Sequence, residues 1–198
     1  MQNPKDSQKP TERWNLISEK TICETRVFNV LEKKMYRREK SNQASFFTLD
    51  APDWVNVLAF TKDGMIILVE QYRHGTDELS LEIPGGVVDA KHGNPFGAAK
   101  QELAEETGYE SEKWTSMGFV TPNPALFNNK CHLFLAEDCI KTAEQDLDEH
   151  ESINVHIKLF SDFIEQIQEG NIHHSLVVSA VSKYLCLKWP ELKRFNPP

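Results

Sequence analysis

The run "WVNVLAFTKDGMIILVEQYR", residues 54–73, constrains the fold more than any other stretch. Two strongly apolar segments flank Lys62-Asp63-Gly64, a turn sequence that reverses the chain between two strands. The second segment, "MIILV", is apolar without a break, whereas a strand with one wet face alternates polar and apolar side chains. A strand with no polar face has to be covered on both sides. The chain is therefore expected to pack helices against both faces of a sheet.

The covering helices are readable downstream. "AAKQELAEETGYE", residues 98–110, is rich in helix formers; Pro95 is suited to start that helix and Gly108 to end it in a left-handed turn. Asp162 and Glu165 are suited to cap a second helix that stops at Gly170, and "SLVVSAVSKYLCLKW" predicts a last amphipathic one. Between them, "KWTSMGFVTPNP", "CHLFLAED" and "INVHIKLF" read as strands. Residues 13–50 alternate in short runs without helix caps and predict a small antiparallel β appendage, with 1–12 disordered before it and a main domain over 51–198. The expected class is α/β (α+β), an α/β/α sandwich around a mixed sheet.

One local conflict points to chemistry. Glu102, Glu105 and Glu106 fall on one helical face, where like-charge pairs each cost about 0.2–0.5 kcal/mol, and the partial negative charge of the helix end adds to that cost. Either this is a solvated face or something positive resolves it. A formal net charge of −8 excludes a general nucleic-acid or anionic-membrane surface, so a phosphate ligand would need a metal or a few placed arginines. The N-terminus has no apolar signal core and no run of about 18 apolar residues follows, which predicts a cytoplasmic protein. Cys23, Cys131, Cys139 and Cys186 form no CxxC pair and read as reduced, mostly buried thiols; the His173-His174 pair reads as structural or solvated.

"GVVDAKHGNPFGAAKQELAEETG", Gly86 to Gly108, resembles the Nudix box, G-x5-E-x7-R-E-U-x-E-E-x-G-U with U apolar. Glu102, Leu103, Glu105, Glu106, Gly108 and Tyr109 fall on its last E, U, E, E, G and U positions. Two positions depart. A one-residue insertion between Asp89 and Pro95 leaves Gly93 or Asn94 near the place of the first glutamate, and Gln101 stands for the arginine. Losing both of a pair leaves no orphan charge, so a rearranged loop is expected rather than a dead site.

"VEQYRHG" followed by "LEIPGG", with Pro124 fifteen residues beyond Tyr109, is similar to the ADP-ribose and nucleoside diphosphate sugar pyrophosphatase branch. The resemblance implies a Nudix fold and cleavage of a nucleoside diphosphate sugar (ADP-ribose, GDP-mannose or UDP-sugar type) to nucleoside monophosphate and sugar phosphate. It implies Mg2+, with Mn2+ able to substitute, held by Glu102, Glu105, Glu106 and the Gly85 carbonyl. Arg73 and Gly86 become substrate contacts. The water-activating base comes from "DEHESINVHI", with Glu149 slightly favoured over Glu151 and Glu105 a further catalytic residue. Asn128 and Asn129 replace an acidic pair typical of ADP-ribose enzymes, which favours a broader sugar nucleotide range. A homodimer through the N-terminal strands is implied, with neither nucleic acid nor membrane as partner. The alternatives are a Nudix-like module that binds nucleotide sugars without turnover, motivated by Gln101 and the altered loop, and a hydrolase of a dinucleotide or coenzyme A derivative.

Overall fold

A computed structural model describes residues 13–37, 42–89 and 93–189. The stretch 1–12, expected to be disordered, and residues 90–92 of the altered loop lie outside the described residues. The chain divides into two compact units, one comprising the residues up to Ala51 together with Asn123–Asn128, the other Pro52–Pro122 with the chain from Asn129 onward.

In the first unit, β1 (Asn15–Glu24), β2 (Asn29–Arg37) and β3 (Asn42–Asp50) form an antiparallel sheet in that order. Thr25 closes the first turn, its hydroxyl accepting from the Phe28 N–H at 3.0 Å. The segment from Asn123 joins this unit: the Leu49 N–H donates to the Leu126 carbonyl at 2.8 Å. Every residue of β1 is exposed, and Leu16, Ile17, Ile22, Phe46 and Phe47 leave large apolar surfaces in solvent.

The second unit is built on a seven-stranded sheet. Its spine runs β10 (Ile153–Lys158), β5 (Ile66–Arg73), β4 (Trp54–Thr61), β9 (Cys131–Lys141) and β7 (Tyr109–Glu110). Two further strands branch off it, β6 (Glu78–Glu82) on β5 and β8 (Lys113–Val120) on β9. Among the described residues β4 and β9 run parallel and the other pairs of this sheet antiparallel, so the sheet is mixed. The hairpin turn lies between β4 and β5, with Gly64 at φ 74°.

Ile66, Ile67, Leu68 and Val69 are all 0% exposed, as a strand without a polar face requires. Val55, Val57, Ala59 and Ile67 meet Ala98, Ala99 and Leu103 of α1 (Pro95–Thr107), while Leu58, Phe60, Ile66 and Leu68 meet α2 (Phe160–Gln168) and α3 (Ser175–Lys188) through Phe163, Val177, Ala180 and Val181. Alternation along β4 and β5 thus splits the core into two layers, giving the α/β/α sandwich.

Two local expectations change. The N-terminus of α2 has Leu159 at the cap with no side-chain bond; Asp162 sits in the first turn, where its charge still suits the helix dipole. All four cysteines are free, but only Cys131 and Cys139 are buried; Cys23 and Cys186 are exposed.

Candidate active site

The site forms where the chain after β6 passes between β4 and α1. Pro84 and Gly86 turn their carbonyls to β4, accepting from Val57 N–H at 2.8 Å and Val55 N–H at 2.9 Å. Gly85 faces the other way and its N–H donates to Glu106 Oε2 at 2.9 Å. A Cβ on Gly85 would lie 2.2 Å from the Val55 carbonyl oxygen, and one on Gly86 would lie 2.3 Å from Glu102 Oε1. A side chain at 85 would run into strand backbone, and one at 86 into the end of the Glu102 carboxylate.

Helix α1 is anchored at both ends. Asn94 Oδ1 accepts from the Gly97 N–H at 2.9 Å, and Pro95 takes the first helical position. The position near the missing glutamate therefore serves as the helix cap. At the other end Gly108, at φ 74°, donates to the Ala104 carbonyl at 2.8 Å. The last turn carries no basic residue. Its carbonyls are met by neutral donors from the chain after β9: Thr142 N–H reaches Gly108 O and Asp146 N–H reaches Glu105 O, each at 2.9 Å.

Glu106 is only 4% exposed, and its carboxyl is pushed up to about 8. Burial is the largest cause; the Gly85 N–H opposes it, the charges of Glu102 and Glu151 add to it, and Arg73 opposes it again. Glu105 is held elsewhere, Gln101 Nε2 donating to its Oε1 at 2.6 Å. In the acidic loop, Glu151 N–H donates to the Asp148 carbonyl at 2.9 Å and Asp148 N–H to Glu151 Oε2 at 3.2 Å. Glu149 sits in that turn, exposed. Glu102 and Glu151 thus act on Glu106. Among the described residues, no three His, Cys, Asp or Glu side chains are close enough together to hold an ion as they stand. The donor set is nonetheless of a kind that a hard cation accepts: carboxylate oxygens, a buried carboxyl that takes a backbone N–H, and a glycine where a side chain would collide with Glu102.

Beside this group lies a cavity of about 240 Å3 lined by Trp54, Asn56, Arg73, Glu82, Gly86 and His174, among others. Arg73 grips Glu82 with a fork, Nε to Oε1 and Nη2 to Oε2, both at 2.7 Å. Glu82 is 1% exposed; burial alone would raise its carboxyl, but the Arg73 bonds and charge hold it below the usual value. The same bond raises Arg73. His174, expected to be structural or solvated, lines this cavity 3.8 Å from Glu82, and burial lowers its pKa so that the imidazole is neutral at pH 7. His173 behaves as expected, an exposed partner of Glu78 at 3.0 Å.

Asn56, buried on β4, accepts from the Cys131 thiol at 3.1 Å. No sequence motif marks Asn56 or His174, and Glu82 is marked only by its place in "LEIPGG". Asn128 and Asn129 brace backbone: Asn128 Oδ1 accepts from Ala51 N–H at 3.2 Å, and Asn129 Nδ2 donates to the Pro52 carbonyl at 2.8 Å.

A family model described as the NUDIX domain matches residues 52–171. The ADP-ribose pyrophosphatase of Bacillus subtilis is 29% identical to this chain over 177 residues, covering 87% of it and 95% of the relative. The methanol dehydrogenase activator of Bacillus methanolicus is 33% identical across 69% of this chain and 74% of its own length. A crystal structure of an ADP compounds hydrolase superposes with a TM-score of 0.78 over 93% of this chain and 98% of that one, at 20% identity, a likeness of fold.

Proposed function

Because the chain belongs to the NUDIX family, we propose that it is a divalent-metal-dependent pyrophosphohydrolase of nucleoside diphosphate sugars, of the ADP-ribose, GDP-mannose or UDP-sugar type. It releases a nucleoside monophosphate and a sugar phosphate. The observation that carries the reading is Glu106, a buried carboxyl raised to about 8 beside Glu102 and Glu151, to which the Gly85 N–H donates. Relatives named as an ADP-ribose pyrophosphatase and an ADP-sugar pyrophosphatase support the substrate class.

Glu102 and Glu106 would hold Mg2+ or Mn2+, with Glu105 and the Gly85 carbonyl as further ligands. Bound there, the cation offsets the diphosphate charge and the helix's own. Arg73 is assigned a phosphate or nucleotide oxygen: its fork to Glu82 uses Nε and Nη2, which leaves Nη1 facing away from that partner. Gly86, which lines the cavity, is assigned a substrate contact through its backbone. Glu151, whose charge acts on Glu106, is the better-supported base than Glu149. It takes a proton from a water whose oxygen bonds to one phosphorus while the bridging oxygen leaves with the other. We further assign the chain to the cytoplasm, in keeping with its four free cysteines, and to a homodimer formed through β1–β3, in keeping with the apolar side chains those strands expose.

The test is product analysis with Mg2+ and a panel of ADP-ribose, GDP-mannose, UDP-glucose, a dinucleotide and a coenzyme A ester. Monophosphate plus sugar phosphate from the sugar substrates is the expected result. One observation favours the binding-module reading, namely that Gln101, in the place of the arginine, donates to Glu105 and occupies one of its oxygens. Tight sugar nucleotide binding with no product, in Mn2+ as well, would establish that reading instead.

A further inference from the structure

Beside the backbone donors at the carboxyl end of α1 stands one side-chain donor, Gln145. Gln145 Nε2 donates to the Glu106 carbonyl at 2.7 Å and to the Ile153 carbonyl at 3.1 Å. Both neighbours are acceptors, so only the amide nitrogen can face them, and the orientation of this amide follows from chemistry. Glu106 belongs to the helix that carries the buried carboxyl. Ile153 opens β10, two residues after Glu151.

The amide therefore pins the end of the helix to the start of the strand, and the acidic loop between Gln145 and Ile153 is held at its base. Asp146 N–H, bonded to the Glu105 carbonyl at 2.9 Å, fixes the outgoing limb to the same helical turn. Glu151 N–H, bonded to the Asp148 carbonyl at 2.9 Å, tightens the loop internally. A lysine at 145 could donate the same bonds, but it would set a permanent cation against the carboxylates. A neutral amide joins the two elements and leaves the charge around Glu106 unaltered.

We propose that Gln145 is a positioning residue that fixes Glu151 against the Glu102–Glu106 face of α1. Its effect on turnover is exerted through Glu151. The inference rests on the reading of Glu151 as the base, and a double-mutant comparison separates the two.

Gln145→Met keeps the length and bulk of the side chain and deletes the donor. The full chain, its Gln145→Met and Glu151→Gln variants and the double variant are assayed with ADP-ribose and excess Mg2+, with thermal melts in parallel. Gln145→Met is expected to lower kcat by on the order of ten- to a hundredfold, with KM within about twofold. In the double variant the same change costs nothing beyond Glu151→Gln alone. A merely structural residue would lower the melt and multiply the losses. Near-normal kcat in Gln145→Met beside a slow Glu151→Gln overturns the inference and leaves the base assignment standing; so does an equal loss in both backgrounds. Normal turnover in Glu151→Gln overturns the base assignment and this inference with it. Should Gln145→Met fail to fold, Gln145→Asn, with the donor on a shorter stem, gives the same comparison.

Discussion

Glu82 and Glu106 are two glutamates buried to nearly the same degree, 1% and 4% exposed, with opposite electrostatic fates. Glu82 receives both arms of Arg73 and stays ionised below the usual carboxylate range despite burial. Glu106 receives one backbone N–H, lies among other carboxylates and is pushed up to about 8. Burial is common to both, so the partner decides the sign. The first charge is resolved within the chain and makes a rigid wall for the cavity. The second is left unresolved, as expected of a group whose partner arrives from solution.

The largest predicted effect separates these two. Glu106→Gln should cut turnover by on the order of a hundredfold or more, while the metal-free protein melts at the parent temperature or above it. Glutamine keeps an acceptor for the Gly85 N–H and removes the repulsion from Glu102 and Glu151. Glu82→Gln should act in reverse, lowering stability by about 1–3 kcal/mol because Arg73 loses its counter-charge. The lower end is expected, since 40% of the Arg73 side chain remains in solvent. Melts and kcat on both variants decide it. If the two melts fall alike, the contrast is wrong.

The sequence was informative where one residue type or period sufficed. The unbroken "MIILV", the Lys62-Asp63-Gly64 turn and the Pro95 to Gly108 helix depend on local chemistry, and the structure has each in place. The crowding of Glu102 and Glu106 was legible for the same reason, through helical spacing. Contacts set by tertiary reach were not. Strand register places Arg73 opposite Glu78, yet its fork closes on Glu82 while Glu78 goes to His173. His173 and His174 share one reading, structural or solvated, because nothing in "NIHHSL" tells which imidazole faces inward; His174 does. Gln145 lies in an acidic stretch, and no local spacing marks the two distant carbonyls its amide reaches.

The adjacent glycines sharpen the contrast at a smaller scale. A Cβ at Gly85 would meet the backbone oxygen of Val55 on a central strand, which has little room to move. At Gly86 it would meet the end of the Glu102 side chain, which can rotate away. Gly85→Ala should therefore lower stability by about 1–3 kcal/mol. Gly86→Ala should leave the melt within about 0.5–1 kcal/mol of the parent, the cost of an off-rotamer side chain, and displace Glu102, so that turnover falls more than stability does. The opposite ranking would place the rigid contact at the helix rather than the strand.

The smallest effect is in pH. In the metal-free protein Glu106 titrates at about 8, against an ordinary value of 4.5 in the unfolded chain. Between those values the folded state holds a proton that the unfolded state has released, so stability falls as pH rises through this window and levels off above it. Glu82 works on the other side: its lowered carboxyl contributes stability that is present above the ordinary value and is lost as pH falls through its folded value. Other groups contribute to any single melt curve, but the difference between parent and Glu106→Gln cancels most of them. That difference should grow in favour of the variant from about pH 5 to pH 8. On the proposed reading Mg2+ would compete with the same proton, so its affinity for the parent should rise with pH across that window and flatten beyond it, and saturating Mg2+ should reverse the difference by stabilising the parent alone. A parent whose melting temperature rises relative to Glu106→Gln over this range would mean that Glu106 has found an internal counter-charge after all, and would put it in the same class as Glu82.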